Sequence, residues 1–273
     1  MKFLSSRRRH PLAGFVVLVL GLLVMGGLYS MFRPAQAEQG ANDKQLVAQG
    51  RELYVVSCST CHGMNAEGVV TKTGDNYGPP LVGVGAAAVD FQVGTGRMPM
   101  ADPGPGQAQR VPLMTPDETR ALAAYIASLG PGPAIPSPGE YDAAHGDPAK
   151  GGLFFRTNCT ACHNFAGSGG ALPHGRQAPD LMKTPPKYIF EAMETGPGQM
   201  PKFSNGVMTP QDKRDIISYI QHLKTTPGYG GLKLGSLGPV SEGLWGWLIG
   251  IGGLILIAVW IGNHGVRAGK KSK

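Results

Sequence analysis

Charge is scarce in this chain. Asp, Glu, Lys and Arg make up 16% of its 273 residues, against about a quarter in an average soluble domain. With 42 Gly and 23 Pro, this excludes one large, regularly patterned core. It suits small, loop-rich domains organised around something else. Acidic residues are absent from both ends: all 18 lie between Glu38 and Glu242, whereas Lys2, Arg7, Arg8, Arg9, Arg267, Lys270, Lys271 and Lys273 lie outside the apolar segments described below. The stretch from Arg33 to Glu242 holds 17 basic against 18 acidic residues. The pI of about 9.3 therefore belongs to the tails and gives no ground for nucleic-acid binding. No βαβ alternation is visible.

Cysteine is scarcer still, and none is spare. All four fall in two pentapeptides, Cys58-Ser59-Thr60-Cys61-His62 and Cys159-Thr160-Ala161-Cys162-His163. C-x-x-C-H is the attachment signature of haem c. The two thiols add across the vinyl groups of one haem, and the adjacent histidine is placed to ligate its iron. Two complete motifs predict two covalently bound haem c groups, held by Cys58, Cys61, Cys159 and Cys162, with His62 and His163 as proximal ligands. A single four-thiolate zinc site would leave each following histidine without a role and would join separate repeats. A redox-active C-x-x-C needs a thioredoxin-like βαβ context. The other histidines (His10, His145, His174, His222 and His264) are scattered and read as surface or structural residues. No nucleophile–base constellation stands out.

The pentapeptides sit in a longer duplication. Gly50 and Gly151 each precede the first cysteine by eight residues. Leu53-Tyr54 pairs with Phe154-Phe155, Gly78-Pro79-Pro80-Leu81 with Ala178-Pro179-Asp180-Leu181, and Gly96-Arg97-Met98-Pro99 with Gly198-Gln199-Met200-Pro201. Met114-Thr115-Pro116 through Tyr125-Ile126 and Leu129 pairs with Met208-Thr209-Pro210 through Tyr219-Ile220 and Leu223. The first copy carries eight extra residues within Ala101–Pro112. Thr115 predicts an N-cap, with Pro116 at the first helical position and Glu118 closing a capping box; Thr209-Pro210 starts the equivalent helix. Leu122, Tyr125, Ile126 and Leu129 form an apolar face at helical spacing. The glycine before each motif marks a place where another helix crosses closely. Between the copies, the run from Gly130 to Gly139 reads as an extended, stiff linker.

Each haem needs a second axial ligand. Met98 and Met200 each follow Gly-x, precede Pro, and lie 36 and 37 residues after their histidines. That is enough chain to wrap round to the far face. A thioether favours ferrous iron and raises the potential. Met100 competes with Met98; Met114 and Met208 read as core or turn residues. With both positions filled, the iron cannot readily bind a substrate.

Leu12–Phe32 and Leu244–Gly262 are uncharged, at about the length of a membrane span. Trp245 and Trp247 suit the interface. Arg7-Arg8-Arg9 before the first run and the basic residues after the second predict both tails in the cytoplasm by the positive-inside rule. Ala35-Gln36-Ala37 resembles a signal cleavage site; the length of the apolar run favours a retained anchor. The expected organisation is a basic tail (1–11), a transmembrane helix (12–32), domain 1 (43–130), a linker (131–146), domain 2 (147–224), a connector (225–243), a transmembrane helix (244–262) and a basic tail (263–273).

Helix with Gly, C-x-x-C-H, Pro-Leu, Met-Pro and a final helix with an aromatic: this order resembles the class I cytochrome c fold, over 45–130 and again over 148–224. The resemblance implies an all-α fold of two tandem cytochrome c domains, flanked here by transmembrane helices. The whole arrangement resembles the dihaem cytochrome c subunit of the actinobacterial cytochrome bcc (bc1-type) complex. That likeness implies electron transfer from a Rieske iron–sulfur subunit, beside a cytochrome b subunit, through two haems to the copper domain of a haem–copper oxidase. It implies a cell-membrane protein with its domains on the outer face. The chain itself makes no bonds, although such a complex is a quinol:cytochrome c reductase. A dihaem subunit of a cbb3-type oxidase and a membrane-bound dihaem peroxidase or dehydrogenase remain alternatives. From Glu38 to Gly130 there are six basic and nine acidic residues, and from Asp147 to Lys224 nine basic and six acidic. Lys183, Lys187 and Lys202 surround the Pro-Leu and Met-Pro segments of the second copy. The expectation is that they face the oxidase.

Overall fold

The computed structural model describes residues 12–74, 76–100, 109–226 and 239–270. The tails at 1–11 and 271–273, most of the connector and most of the insertion within Ala101–Pro112 lie outside the described residues. Each repeat builds the same set of elements. In the first, a long helix α1 (Ala13–Ser57) leads into a one-turn helix α2 (Ser59–His62), a hairpin of β1 (Val69–Val70) and β2 (Asn76–Gly78), then α3 (Ala86–Gly94) and α4 (Pro116–Ser128). The second has α5 (Pro148–Asn158), α6 (Thr160–His163), β3 (Gly170–Ala171) paired with β4 (Gln177–Ala178), α7 (Pro186–Thr195) and α8 (Pro210–Thr225).

The caps act as their chemistry dictates. Thr115 accepts from the Glu118 backbone and Glu118 reaches back to the Thr115 backbone, while Thr209 and Asp212 do the same for α8. Asp147 caps α5 by accepting from the backbones of Ala149 and Lys150.

In each repeat the first and last helices cross at a glycine. A Cβ at Gly50 would stand 1.9 Å from the carbonyl oxygen of Ala121, and one at Gly151 would stand 1.9 Å from that of Asp215. The crossings bring Tyr54 within 5.2 Å of Tyr125 and Phe155 within 5.4 Å of Tyr219, centroid to centroid. Around them gather two small cores. Tyr54, Ala66, Val93, Leu122, Tyr125 and Ile126 form the first; Phe155, Leu181, Phe190, Met193, Met208 and Ile216 are among the residues of the second.

The fold is mostly helical, as the resemblance implies, with two short hairpins added. They are antiparallel ladders of two or three residues per strand, too short to show a period of two. They form because the chain must fold back after each C-x-x-C-H: the Gly68 N–H donates to His62 O and the Gly169 N–H to His163 O. Both glycines have a φ above +80°. The linker is also more than a spacer, because the Ala87 N–H donates to Pro133 O and Gly132 lies so close to Gly85 that neither has room for a Cβ.

Beyond α8 come α9 (Pro239–Trp245), a π-helical turn (Gly246–Ile251) and α10 (Gly252–Lys270). Among the described residues one helical stretch, Ser241–His264, is long and apolar enough to cross a membrane. It has 24 residues, mean hydropathy 2.2 and no burial within the chain. The first apolar run contributes a shorter apolar stretch, Gly14–Gly27, to a helix that continues unbroken to Ser57.

Gly50→Ala is expected to destabilise the chain severely, because the methyl group meets backbone rather than a movable side chain. Gly139→Ala, in open space, should stay within about 0.5 kcal/mol of the parent. Thermal unfolding of the two variants checks this.

Candidate haem sites and the seam between the domains

Both pentapeptides occupy the same local frame. Cys58 and Cys159 terminate α1 and α5, donating backbone N–H groups to Tyr54 O and Phe155 O. The single turns that follow carry Cys61-His62 and Cys162-His163. Cys58, Cys61 and Cys159 are half-buried and Cys162 is exposed. Burial, then the neighbouring cysteine, pushes the Cys58 and Cys159 thiols up to about 11. A redox-active C-x-x-C requires the opposite, a depressed thiol pKa.

The imidazoles are buried and oriented. His62 Nδ1 lies 2.8 Å from Pro79 O, and His163 Nδ1 lies 3.2 Å from Pro179 O. A carbonyl only accepts, so each Nδ1 carries the proton and each Nε2 keeps a free lone pair. This is how a metal-binding histidine is held to one tautomer. Burial lowers the pKa of His163, with the Pro179 carbonyl opposing, which favours the neutral ligand form. In the sequence the two prolines stand out only as part of the repeated Pro-Leu segments. Their carbonyl role escapes a reading by residue type, and its one signal is a proline two residues before a leucine in both copies, 17 and 16 residues after the histidines.

Met98 and Cys58 pack against the first core, and Met200 and Cys159 against the second. Met100 is half-buried and belongs to neither cluster. Met114 borders the first core, and Met208 is buried within the second. The donors available in each domain are two thiols, an imidazole with Nε2 free and a thioether beside the same core. This set fits a covalently attached haem c with His/Met ligation. No group of three or more His, Cys, Asp or Glu that could hold another metal ion occurs among the described residues.

The domains meet through α3 and α7, the helices that precede Met98 and Met200. Phe91 and Tyr188 pack edge to face at 6.2 Å. Lys187 Nζ sits 2.5 Å from Asp90 Oδ2 and 3.9 Å from Glu191 Oε1. This corrects the expectation that Lys187 lies on the second domain's outer cationic face: it spans the seam. Lys183 is 85% exposed beside Asp180, and Lys202 is exposed. Glu191 is fully buried. Desolvation and the facing Asp90 carboxylate push it up to about 9, against the opposing pull of Lys187. Glu191 therefore holds its proton at neutral pH.

The fold and these paired sites define cytochrome c domains. The family model described as cytochrome c matches residues 47–130, and the one described as cytochrome c oxidase, cbb3-type, subunit III matches residues 146–220. Over nearly its whole length the chain is 43% identical to the cytochrome bc1 complex cytochrome c subunit of Corynebacterium efficiens, covering 96% of this chain and 93% of that protein. It is 41% identical to the Corynebacterium diphtheriae subunit, over 96% and 98%, and 40% identical to that of Mycobacterium bovis, over 94% and 92%. The chain belongs to the family of cytochrome bc1 complex cytochrome c subunits, which are electron-transfer cytochromes c.

The seam predicts a pH dependence. Below about 4.5, the ordinary glutamate value, Glu191 is protonated in both folded and unfolded chains and carries no penalty. As pH rises towards about 9, the unfolded chain releases a proton that the folded one retains, so folding loses stability. Glu191→Gln should therefore match the parent in acid and exceed it increasingly as pH rises, by on the order of 1–3 kcal/mol at neutral pH. Thermal unfolding across that range measures the difference.

Proposed function

We propose that this chain carries two haem c groups, one on Cys58, Cys61, His62 and Met98 and one on Cys159, Cys162, His163 and Met200. The observation that carries this reading is the duplicated pairing of a buried imidazole Nδ1 with a proline carbonyl. It leaves Nε2 free beside two thiols in both domains. A bound haem supplies a one-electron ferric/ferrous couple, which thioether ligation tunes towards high potential. The polypeptide's own work is to fix the imidazole tautomer, to keep apolar side chains around the site and to hold the two domains in one relative position. None of this requires a general base or a nucleophile, and the enzyme activity belongs to the quinol:cytochrome c reductase complex.

Within that complex the chain accepts electrons from a Rieske iron–sulfur subunit beside the cytochrome b subunit. It delivers them to the copper domain of a haem–copper oxidase. Two transmembrane helices, 12–32 and 244–262, place both basic tails in the cytoplasm and domains 43–130 and 147–224 on the outer face, with the linker 131–146 and connector 225–243 between. The charge asymmetry supports first-domain contact with the Rieske subunit and second-domain contact with the oxidase. With Lys187 engaged in the seam, Lys183 beside the second Pro-Leu segment and Lys202 beside the second Met-Pro segment remain as exposed cations. Complementary charge at such a surface acts on orientation and encounter rate. The match of 146–220 to the cbb3-type subunit III model concerns the second domain alone. The relatives that span almost the full chain favour the bc1-type complex.

The denatured chain should keep its haem colour on a gel and exceed the polypeptide mass by two haems. Cys159→Ala should leave one firmly attached haem, and a colourless chain would sink the reading. Lys183→Glu with Lys202→Glu should slow oxidase reduction severalfold and leave quinol reduction of the first domain unchanged. Stopped-flow spectra of the assembled complex distinguish this from the reverse assignment, in which reduction by quinol slows instead.

A further inference from the structure

Lys213 on α8 is a lysine with no exposure at all. Burying an ammonium costs several kcal/mol unless it is closely paired. Its partners lie on two different segments. Nζ bonds Glu194 Oε1 in the last turn of α7, and it donates to Asn205 Oδ1 at 2.9 Å in the loop before α8. It also stands 5.7 Å from the centroid of the Phe190 ring. Met200 lies between Glu194 and Asn205 in the chain. One buried cation thus ties together both ends of the strap that carries it. The strap has backbone pins as well: the Met200 N–H donates to Pro197 O at 3.1 Å, and the Phe203 N–H to Met193 O at 2.8 Å.

Among the described residues, the first domain shows no such device. By the alignment of Thr115 with Thr209, its counterpart of Lys213 is Thr119, whose hydroxyl turns back to Thr115 O at 2.9 Å. There the Arg97 and Met98 N–H groups both donate to Gln92 O at 2.9 Å, and Arg97 stacks over Phe91. Satisfying a buried polar network in one copy and omitting it in the other makes the two straps mechanically different.

The geometry points to Lys213 as a positioning residue for Met200: it clamps the strap from both sides and holds the thioether against displacement, in the second domain only. This rests on Met200 being the axial ligand, so the test separates the two ideas. The full haem-loaded chain is compared with Met200→Leu, the double variant Lys213→Met/Glu194→Gln, Lys213→Arg and Asn205→Ala. The readouts are the far-red thioether–iron band of the ferric protein and the rate at which carbon monoxide captures each ferrous haem. The double variant removes the buried charge together with its partner, so no orphaned ion confuses the result. It should let carbon monoxide capture one haem about tenfold faster, the equivalent of one charge-assisted hydrogen bond, and leave the other haem unchanged. Asn205→Ala should have a smaller effect of the same sign. Lys213→Arg, which keeps the charge, should restore most of the protection. If Met200→Leu leaves the far-red band at full height, the ligand assignment is wrong. If Met200→Leu halves the band while the double variant and Asn205→Ala keep parental band and capture rate, the clamp is refuted. Should the Lys213 variants fail to accumulate, Asn205→Ala and Glu194→Gln decide, and parental capture rates in both overturn the proposal.

Discussion

Everything around the two sites depends on a backbone approach that only glycine permits. At Gly50 and Gly151 the last helix of each repeat presses its carbonyls into the space a Cβ would fill. That contact fixes the helix that ends in Cys58 or Cys159, and hence the direction of the single turn carrying the second cysteine and the histidine. The hairpin then returns Pro79 or Pro179 to the imidazole. A domain with so small an apolar core cannot orient these groups by bulk packing. Close helix crossing and a short chain of backbone hydrogen bonds do it instead.

The two copies share this frame and differ in what fills it. Both final helices start from reciprocal capping boxes, and Thr95 and Thr195 both donate a hydroxyl to the carbonyl four residues back. Yet the carbonyls they reach belong to Phe91 in one copy and Glu191 in the other. Apolar contact in the first domain is thus answered by a buried acid in the second, at the face where the domains meet. A fixed seam suits an electron carrier, because reorienting two domains at every transfer would slow it. Burying carboxyls and an ammonium there costs desolvation free energy, and they favour one docked arrangement over others that would leave them unpaired.

The second domain's formal excess of positive charge is partly internal. Lys187 spans the seam, Lys213 is buried, and Lys150 bridges Asp212 and Asp215. The cationic surface available to a partner is accordingly smaller than the residue count suggests, and Lys183 and Lys202 stand out on it.

The repeated C-x-x-C-H pentapeptides and the duplication were legible in the chain because their spacing is local and recurs in both copies. The capped final helices were legible because Thr-Pro and the residue three places after the threonine satisfy backbone groups within one turn. The close crossings were legible because a glycine eight residues before the first cysteine in both copies marks a point on the helix with no room for a side chain. The brief hairpins were not legible, being too short to carry a period, and neither were the Pro79 and Pro179 carbonyls, since a backbone oxygen leaves no residue signature. Nor did residue type reveal which charges are internal. Lys187, Glu191 and Lys213 look in sequence like any solvated residue on an amphipathic helix, and their burial arises from contacts with other elements. Local covalent and capping chemistry is written along the chain; the pairing of α3 with α7 and the closure of the Met200 strap are long-range contacts that exist only once the helices have packed.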